Sequence, residues 1–411
     1  MKAALSKNRG LSMVYGLLLI LIGFSCTGKH TDSGVVSEKL PWSERMALSQ
    51  MSRDGDSLSY NEALKSRWIY DKGTYLKGIE AVWKKTGNPM YFDYIDRTIG
   101  SFITPDGEIR TYNMEDYNLD MVCSGKLLLT IYRETKEENI KAAATLLMKQ
   151  LENHPRTKEG GFWHKKRYPW QMWLDGLYMG APFYAEYSQL FNKPEGFDDV
   201  ANQIIFMESH TKDSLSGLLY HAWDESKQQD WADKQTGCSP CFWSRAMGWY
   251  VMAIVDVLDY LPENHPKREQ IISIFGNLTD ALLKVQDSTS GVWYQVIDQG
   301  NREGNYFEAS ASSMFVYAMA KAIRKGYISE SYYPSVKKGY DGLIKTFIKV
   351  DTDGLVTLTG SCQGAGLGGD PYRDGTFEYY ISEPVVDNDL KGVGPFIMAS
   401  VEMEYLDAAK K

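Results

Sequence analysis

From about residue 67 onward, apolar side chains recur at three- and four-residue steps, in segments separated by short polar turns. That period predicts helices over 68–86, 90–102, 118–134, 136–153, 171–188, 196–211, 242–260, 267–286, 306–325, 330–348 and 390–408. An earlier helix is expected around 43–62. Gly87, with Pro89 just beyond it, ends the first long segment, and Gly326 ends the ninth. Ser239-Pro240 and Asn264-His265-Pro266 read as N-caps followed by proline at the first helical position. Taken two by two, these elements make about six helical pairs.

The segments between pairs share a theme. Gly160-Gly161-Phe162-Trp163-His164-Lys165, Gly217-Leu218-Leu219-Tyr220-His221-Ala222-Trp223-Asp224 and Gly291-Val292-Trp293-Tyr294-Gln295-Val296 each run from glycine through aromatic to polar residues. Weak similarity at a recurring spacing is the mark of an internal repeat with its connecting loops gathered at one end. The pattern favours an all-α (α/α)6 barrel, a six-hairpin toroid with loops forming a cleft. An open helical solenoid is the other architecture the period allows, but it gives less reason for tryptophan in every turn.

The N-terminal residues read differently. Lys2, Lys7 and Arg9 precede an apolar run from Leu11 to Phe24, which is too short to span a bilayer comfortably. Ser25-Cys26 and a polar stretch follow, as in a bacterial lipoprotein signal with Cys26 as the lipidated residue, although Gly23 stands where Leu is more usual. A plain secretory signal is the alternative. The expected organisation is a signal over 1–26, a lead-in over 27–64 and one catalytic domain over 65–411. The mature chain is expected to be exported, as a periplasmic or membrane-anchored protein of a Gram-negative bacterium.

Acidic and basic residues are well mixed and the net charge is −8, which argues against a nucleic-acid partner. Aromatic residues make up 13% of the chain, an enrichment suited to sugar faces as well as to a packed core. Cys238-Ser239-Pro240-Cys241 lacks both the thioredoxin-like surroundings of a redox pair and the second pair of a zinc knuckle. A structural disulfide or simple packing is expected there. Asp351-Thr352-Asp353-Gly354 lacks the remaining ligands of a calcium loop, and the glycine-rich segment 364–370 reads as a flexible loop or lid.

The candidate chemistry centres on Asp175, in Trp170-Gln171-Met172-Trp173-Leu174-Asp175-Gly176-Leu177-Tyr178. A carboxyl among large apolar side chains loses water, which favours its protonated form and equips it to donate a proton. A half-buried Asp bonded to a helix end is the bland reading. Asp120, at the start of an apolar helix, suits the helix dipole and also suits the second carboxylate of a glycosidase pair. Lys165, His164, His221 and Arg245 together read as a cationic wall for a carboxylated sugar, with Trp173 and Trp249 as stacking platforms. Arg245 between two tryptophans must otherwise be met by a structural carboxylate. No nucleophile elbow, phosphate loop, dinucleotide fingerprint or HExxH helix is present.

Taken in order, these segments resemble the unsaturated rhamnogalacturonyl hydrolases, glycoside hydrolase family 105, over roughly residues 65–408. The likeness rests on Trp163-His164-Lys165, Gln171 to Met179, Tyr220 to Asp224, Phe242 to Arg245 with Gly248-Trp249-Tyr250, Glu308 to Ser312, and Asn388 to Pro395. It implies an (α/α)6 barrel that removes a 4,5-unsaturated uronic acid from lyase-generated oligosaccharides, with pectin or rhamnogalacturonan fragments favoured. It implies that Asp175 protonates C4 and helps water attack C5, and that Asp120 assists. His221, Arg245 and Trp249 hold the unsaturated sugar, while His164, Lys165, Trp173 and Tyr70 line the pocket. No metal or organic cofactor is implied. Two readings from other classes remain: a non-catalytic surface glycan-binding lipoprotein, and a sugar epimerase on the same barrel that works through histidine.

Overall fold

The computed structural model describes residues 36–410; the expected signal segment and Cys26 lie outside them. Thirteen helices account for most of the described residues. They are α1 Trp42–Asp54, α2 Tyr70–Thr86, α3 Pro89–Gly100, α4 Gly125–Thr135, α5 Glu138–Glu152, α6 Leu174–Leu190 and α7 Glu195–Thr211. After these come α8 Ser244–Val257, α9 Arg268–Lys284, α10 Ala309–Arg324, α11 Tyr333–Phe347, the short α12 Phe377–Ser382, and α13 Leu390–Ala409. Three antiparallel strand pairs decorate the loops: β1 Gln171–Trp173 with β2 Ala222–Asp224, β3 Ile348–Val350 with β4 Val356–Leu358, and β5 Ser361–Cys362 with β6 Val385–Val386.

Packing sorts the helices into two rings. In sequence order, α2, α4, α6, α8, α10 and α13 each touch the next, and α13 returns to α2. On the outside, α3, α5, α7, α9 and α11 each pack against the inner helix before them in the chain, while α1 packs against α13. Closure of the inner ring separates this toroid from an open solenoid. It also explains why α6, α8, α10 and α13 are apolar all round, since an inner helix is buried on every side. Where the ring closes, backbones come very near: a Cβ on Gly394 would lie 2.5 Å from the Thr74 carbonyl oxygen, and one on Gly78 would lie 2.8 Å from that of Gly394. Only glycine fits at those two positions.

The repeat is visible as one recurring turn after an outer helix. Gly107, Gly160, Gly217, Gly291 and Gly354 all have positive φ, and each amide donates back to a residue three or four positions earlier (Thr104, Thr157, Asp213, Asp287 and Asp351). The Asp351-to-Gly354 segment is therefore the fifth copy of this turn.

Several sequence expectations move. The toroid begins at residue 42 rather than 65, because α1 completes the outer ring. Residues 171–173 pair as a strand instead of opening a helix, and residues 119–122 form a 3-10 turn before α4. Ser239 accepts from the Ala222 amide at 3.2 Å instead of capping α8, which starts at Ser244, and α9 starts at Arg268. Cys238 and Cys241 are unpaired, and the Cys238 thiol donates to the His210 carbonyl at 3.1 Å. The glycine-rich segment is docked rather than free, for Leu367 is fully buried against Trp173 and Trp231.

Candidate active site

The first turns of the inner helices gather chemistry at one end of the toroid. Tyr70 opens α2, Asp120 lies in the 3-10 turn before α4, Asp175 is in the first turn of α6, and Arg245 is in the first turn of α8. Backbone pairing fixes the loops between them. The Leu119 amide donates to the His164 carbonyl at 3.2 Å and that of Lys166 to Tyr117 at 3.0 Å, which sets Lys165 beside Asp120. The β1–β2 ladder continues through the Leu174 amide to the His221 carbonyl at 3.0 Å, which sets His221 beside Asp175.

Asp175 keeps 13% of its side chain exposed, and its Oδ2 lies 3.2 Å from Nε2 of the fully buried His221. On the far side of that ring, Nδ1 meets the Tyr380 hydroxyl at 2.8 Å. Gly176 is small for a reason: a Cβ there would lie 3.1 Å from Nδ1 of His164. Asp120 pairs with the Lys165 ammonium, and its Oδ1 is 3.5 Å from His164 Nε2. Burial, the largest single influence, would raise the Asp120 pKa, but the charge and hydrogen bond of Lys165, with His164 and Arg167, together outweigh it and hold the carboxyl below its ordinary value. The two acids thus have different partners, a cation for Asp120 and a histidine for Asp175.

The expected cationic wall is not what folds. Lys165 is spent on Asp120. Burial pushes His164 down to about 3 against the pull of Asp120, so its ring is neutral near pH 7. Arg245 is only 1% exposed, donates from Nε to Ser310 at 2.7 Å and pairs through Nη2 with the buried Glu308 at 3.2 Å. Its charge is answered by a structural carboxylate, although Nη1 is left without a partner. Exposed positive charge sits instead on Arg67, Lys166 and Arg167, which share with Tyr70, Asp120 and Lys165 a cleft of about 590 Å³. Those three cations have no carboxylate partner among the described residues.

The tryptophans also differ from expectation. Trp173 is sandwiched between His164 (4.6 Å, 14°) and Tyr168 (5.1 Å, 11°), so neither face is free for a sugar. Trp249 is 1% exposed and stacks on Tyr178 at 5.1 Å. Tyr70, edge-on to Trp249 at 6.4 Å, is the aromatic that reaches the cleft. Sequence reading missed Tyr380 and the cleft cations. The run Lys165-Lys166-Arg167 was a usable signal for the latter, whereas nothing in the sequence links Tyr380 to His221.

Two buried histidines make stability acid-sensitive. Burial lowers His154 to about 4 and His164 to about 3. As pH falls below the unfolded value of about 6.5, the unfolded chain binds protons that the folded one refuses, so stability drops until the folded values are reached. For His154 the loss between pH 6.5 and 4 is on the order of 3 kcal/mol. Urea unfolding at pH 7 and pH 4.5 should therefore show a larger drop for wild type than for His154→Gln. Equal drops would exclude the effect. Asp54, raised to about 6 by burial, acts in the opposite sense and cancels in that comparison.

A closed double ring of helices with two differently held carboxylates at the inner-helix N-termini defines a glycosidase of the six-hairpin class. The chain belongs to glycosyl hydrolase family 88, whose model matches residues 42–406, and to glycoside hydrolase family 105 by its likeness to a solved member. That member, from C. acetobutylicum ATCC 824, is 49% identical over 89% of this chain and 100% of its own, with a TM-score of 0.86. Among curated proteins, the unsaturated rhamnogalacturonyl hydrolase YesR of Bacillus subtilis (strain 168) is 26% identical over 61% of this chain and 70% of its own. The unsaturated glucuronyl hydrolase of Bacillus sp. GL1 shares the fold, with a TM-score of 0.64 at 14% identity, covering 88% of this chain and 95% of its own.

Proposed function

We propose that this glycosidase removes a 4,5-unsaturated uronic acid from the non-reducing end of lyase-cut oligosaccharides, with rhamnogalacturonan fragments as the favoured source. The carrying observation is the arrangement at Asp175, where one carboxylate oxygen faces the buried His221 and the side chain stays partly open. In this reading Asp175 gives its proton to C4 of the enol ether while a water oxygen bonds to C5. The second proton of that water returns to the Asp175 carboxylate, and the resulting hemiketal opens to release the remaining sugar. Asp120, kept charged by Lys165, stabilises the positive charge that develops on the ring. Family 105 membership and the similarity to YesR support this substrate class. Tyr70 lies at the cleft to contact the sugar.

The test is loss of the ultraviolet absorbance of the conjugated bond with unsaturated disaccharides from pectin and from glycosaminoglycans. Absorbance that persists with every substrate rejects the hydrolase reading.

We also propose export with lipid attachment at Cys26. Labelled palmitate should enter the wild-type protein and not Cys26→Ala, and equal labelling of both would reject the anchor.

A further inference from the structure

We infer that Tyr380, through His221, decides which oxygen of Asp175 carries the acidic proton. The inference rests on the proposed role of Asp175 as proton donor. Tyr380 lies on α12, more than 150 residues from His221 along the chain, and the two side chains are fully buried. Its ring stacks on Trp243 at 5.7 Å (16°), and its backbone carbonyl accepts from the Gln295 side chain at 3.1 Å, so its position does not depend on the hydroxyl.

The direction of the hydrogen bonds follows from satisfaction. His221 Nδ1 is the partner found for the Tyr380 hydroxyl, at 2.8 Å. Were Nδ1 protonated, it would donate to the tyrosine oxygen and leave a buried O–H without an acceptor, which is unfavourable. The hydroxyl therefore donates to Nδ1, and the ring proton resides on Nε2. Nε2, carrying that proton, lies 3.2 Å from Asp175 Oδ2. Both atoms are buried and neither meets hydrogen-bond geometry with any group, so a small reorientation that closes this contact satisfies both at once.

An oxygen that accepts from Nε2–H cannot also direct a proton there. The acidic proton of Asp175 is thus placed on Oδ1, the oxygen outside the buried, unpartnered set and the one open to an incoming substrate. Tyr380 and His221 are positioning residues in this account. Neither needs to touch the sugar, and full burial keeps both away from it.

Tyr380→Phe deletes the hydroxyl and keeps the ring stacked on Trp243. The histidine is then free to place its proton on Nδ1, and the Nε2 lone pair draws the Asp175 proton to Oδ2, away from the reaction. The expected result is a fall in kcat of about 10-fold or more, within the 10²–10⁴ that a positioned acid supplies, with KM changed by less than about 2-fold. In histidine ¹⁵N spectra of the full chain, the His221 signals should show a bare Nδ1 and a protonated Nε2 in wild type, and a mixture in Tyr380→Phe. His221→Gln supplies the independent check: adding Tyr380→Phe to it should cost nothing further, because the route through the imidazole is gone. Unchanged kcat in Tyr380→Phe, a protonated Nδ1 in wild type, or full additivity with His221→Gln each overturns the inference. These outcomes are separable from failure of the proposed function, in which wild type itself leaves unsaturated disaccharides intact.

Discussion

Asp175→Asn should lower kcat on an unsaturated disaccharide by about 10²–10⁴-fold, the usual contribution of a positioned general acid, while the protein stays folded. The substitution is nearly isosteric. An amide oxygen can still accept from His221 Nε2, so the partner of the buried Oδ2 survives and only the acidic proton is lost. Asp120→Asn should behave differently. It removes the carboxylate that answers Lys165, leaving a largely buried ammonium unpaired, so stability falls together with activity. Progress curves at the conjugated-bond absorbance, with urea melts of the same proteins, separate the two. Near-wild-type turnover by Asp175→Asn would remove it from the chemistry, and this is also the outcome that a histidine-based epimerase requires.

The largest expected change in stability comes from Glu308→Gln. Glu308 is fully buried, pairs with Arg245, and accepts from the amides of Ala311 at 2.6 Å and Cys362 at 2.9 Å. Glutamine retains an acceptor for one amide but strands the guanidinium, itself 1% exposed, without a counter-charge. Breaking a buried pair from one side costs about 3–5 kcal/mol, because the remaining charge is left uncompensated. Urea midpoints should show that loss, and Arg245→Leu should approach it from the other side rather than acting on substrate capture alone. Replacing both residues with apolar ones of similar volume should recover much of the stability. If Glu308→Gln melts with wild type, the pair is not holding the first turns of α8 and α10 together.

The extent to which the site was legible varies residue by residue. Asp175 stood out because its neighbours in the chain are also its neighbours in space: Trp173 at the N-cap of α6 and Gly176 under the His164 ring. Asp120 was visible through its helix-start position. The cationic wall was not a sound reading, because sequence gives the sign of a charge and not its partner. Lys165 meets Asp120 across 45 residues and Arg245 meets Glu308 across 63. Trp173 failed as a platform for a related reason. Aromatic content says that rings are present, but whether a face is open depends on which loops fold onto it, here His164 on one side and Tyr168 on the other.

The sequence by itself determined the twelve-helix alternation, three of the five glycine turns that join outer to inner helices, and the placing of an acid among aromatics. Each is a local property: the helical period reports which face is apolar, and positive φ selects glycine whatever lies beyond. Only the tertiary structure decided that the inner ring closes through Gly78 and Gly394, that Arg245 is neutralised, and that Tyr380 reaches His221 from α12. Burial obliges each polar group to find a partner but does not say which one. That choice is made by distances that exist only after the helices have packed.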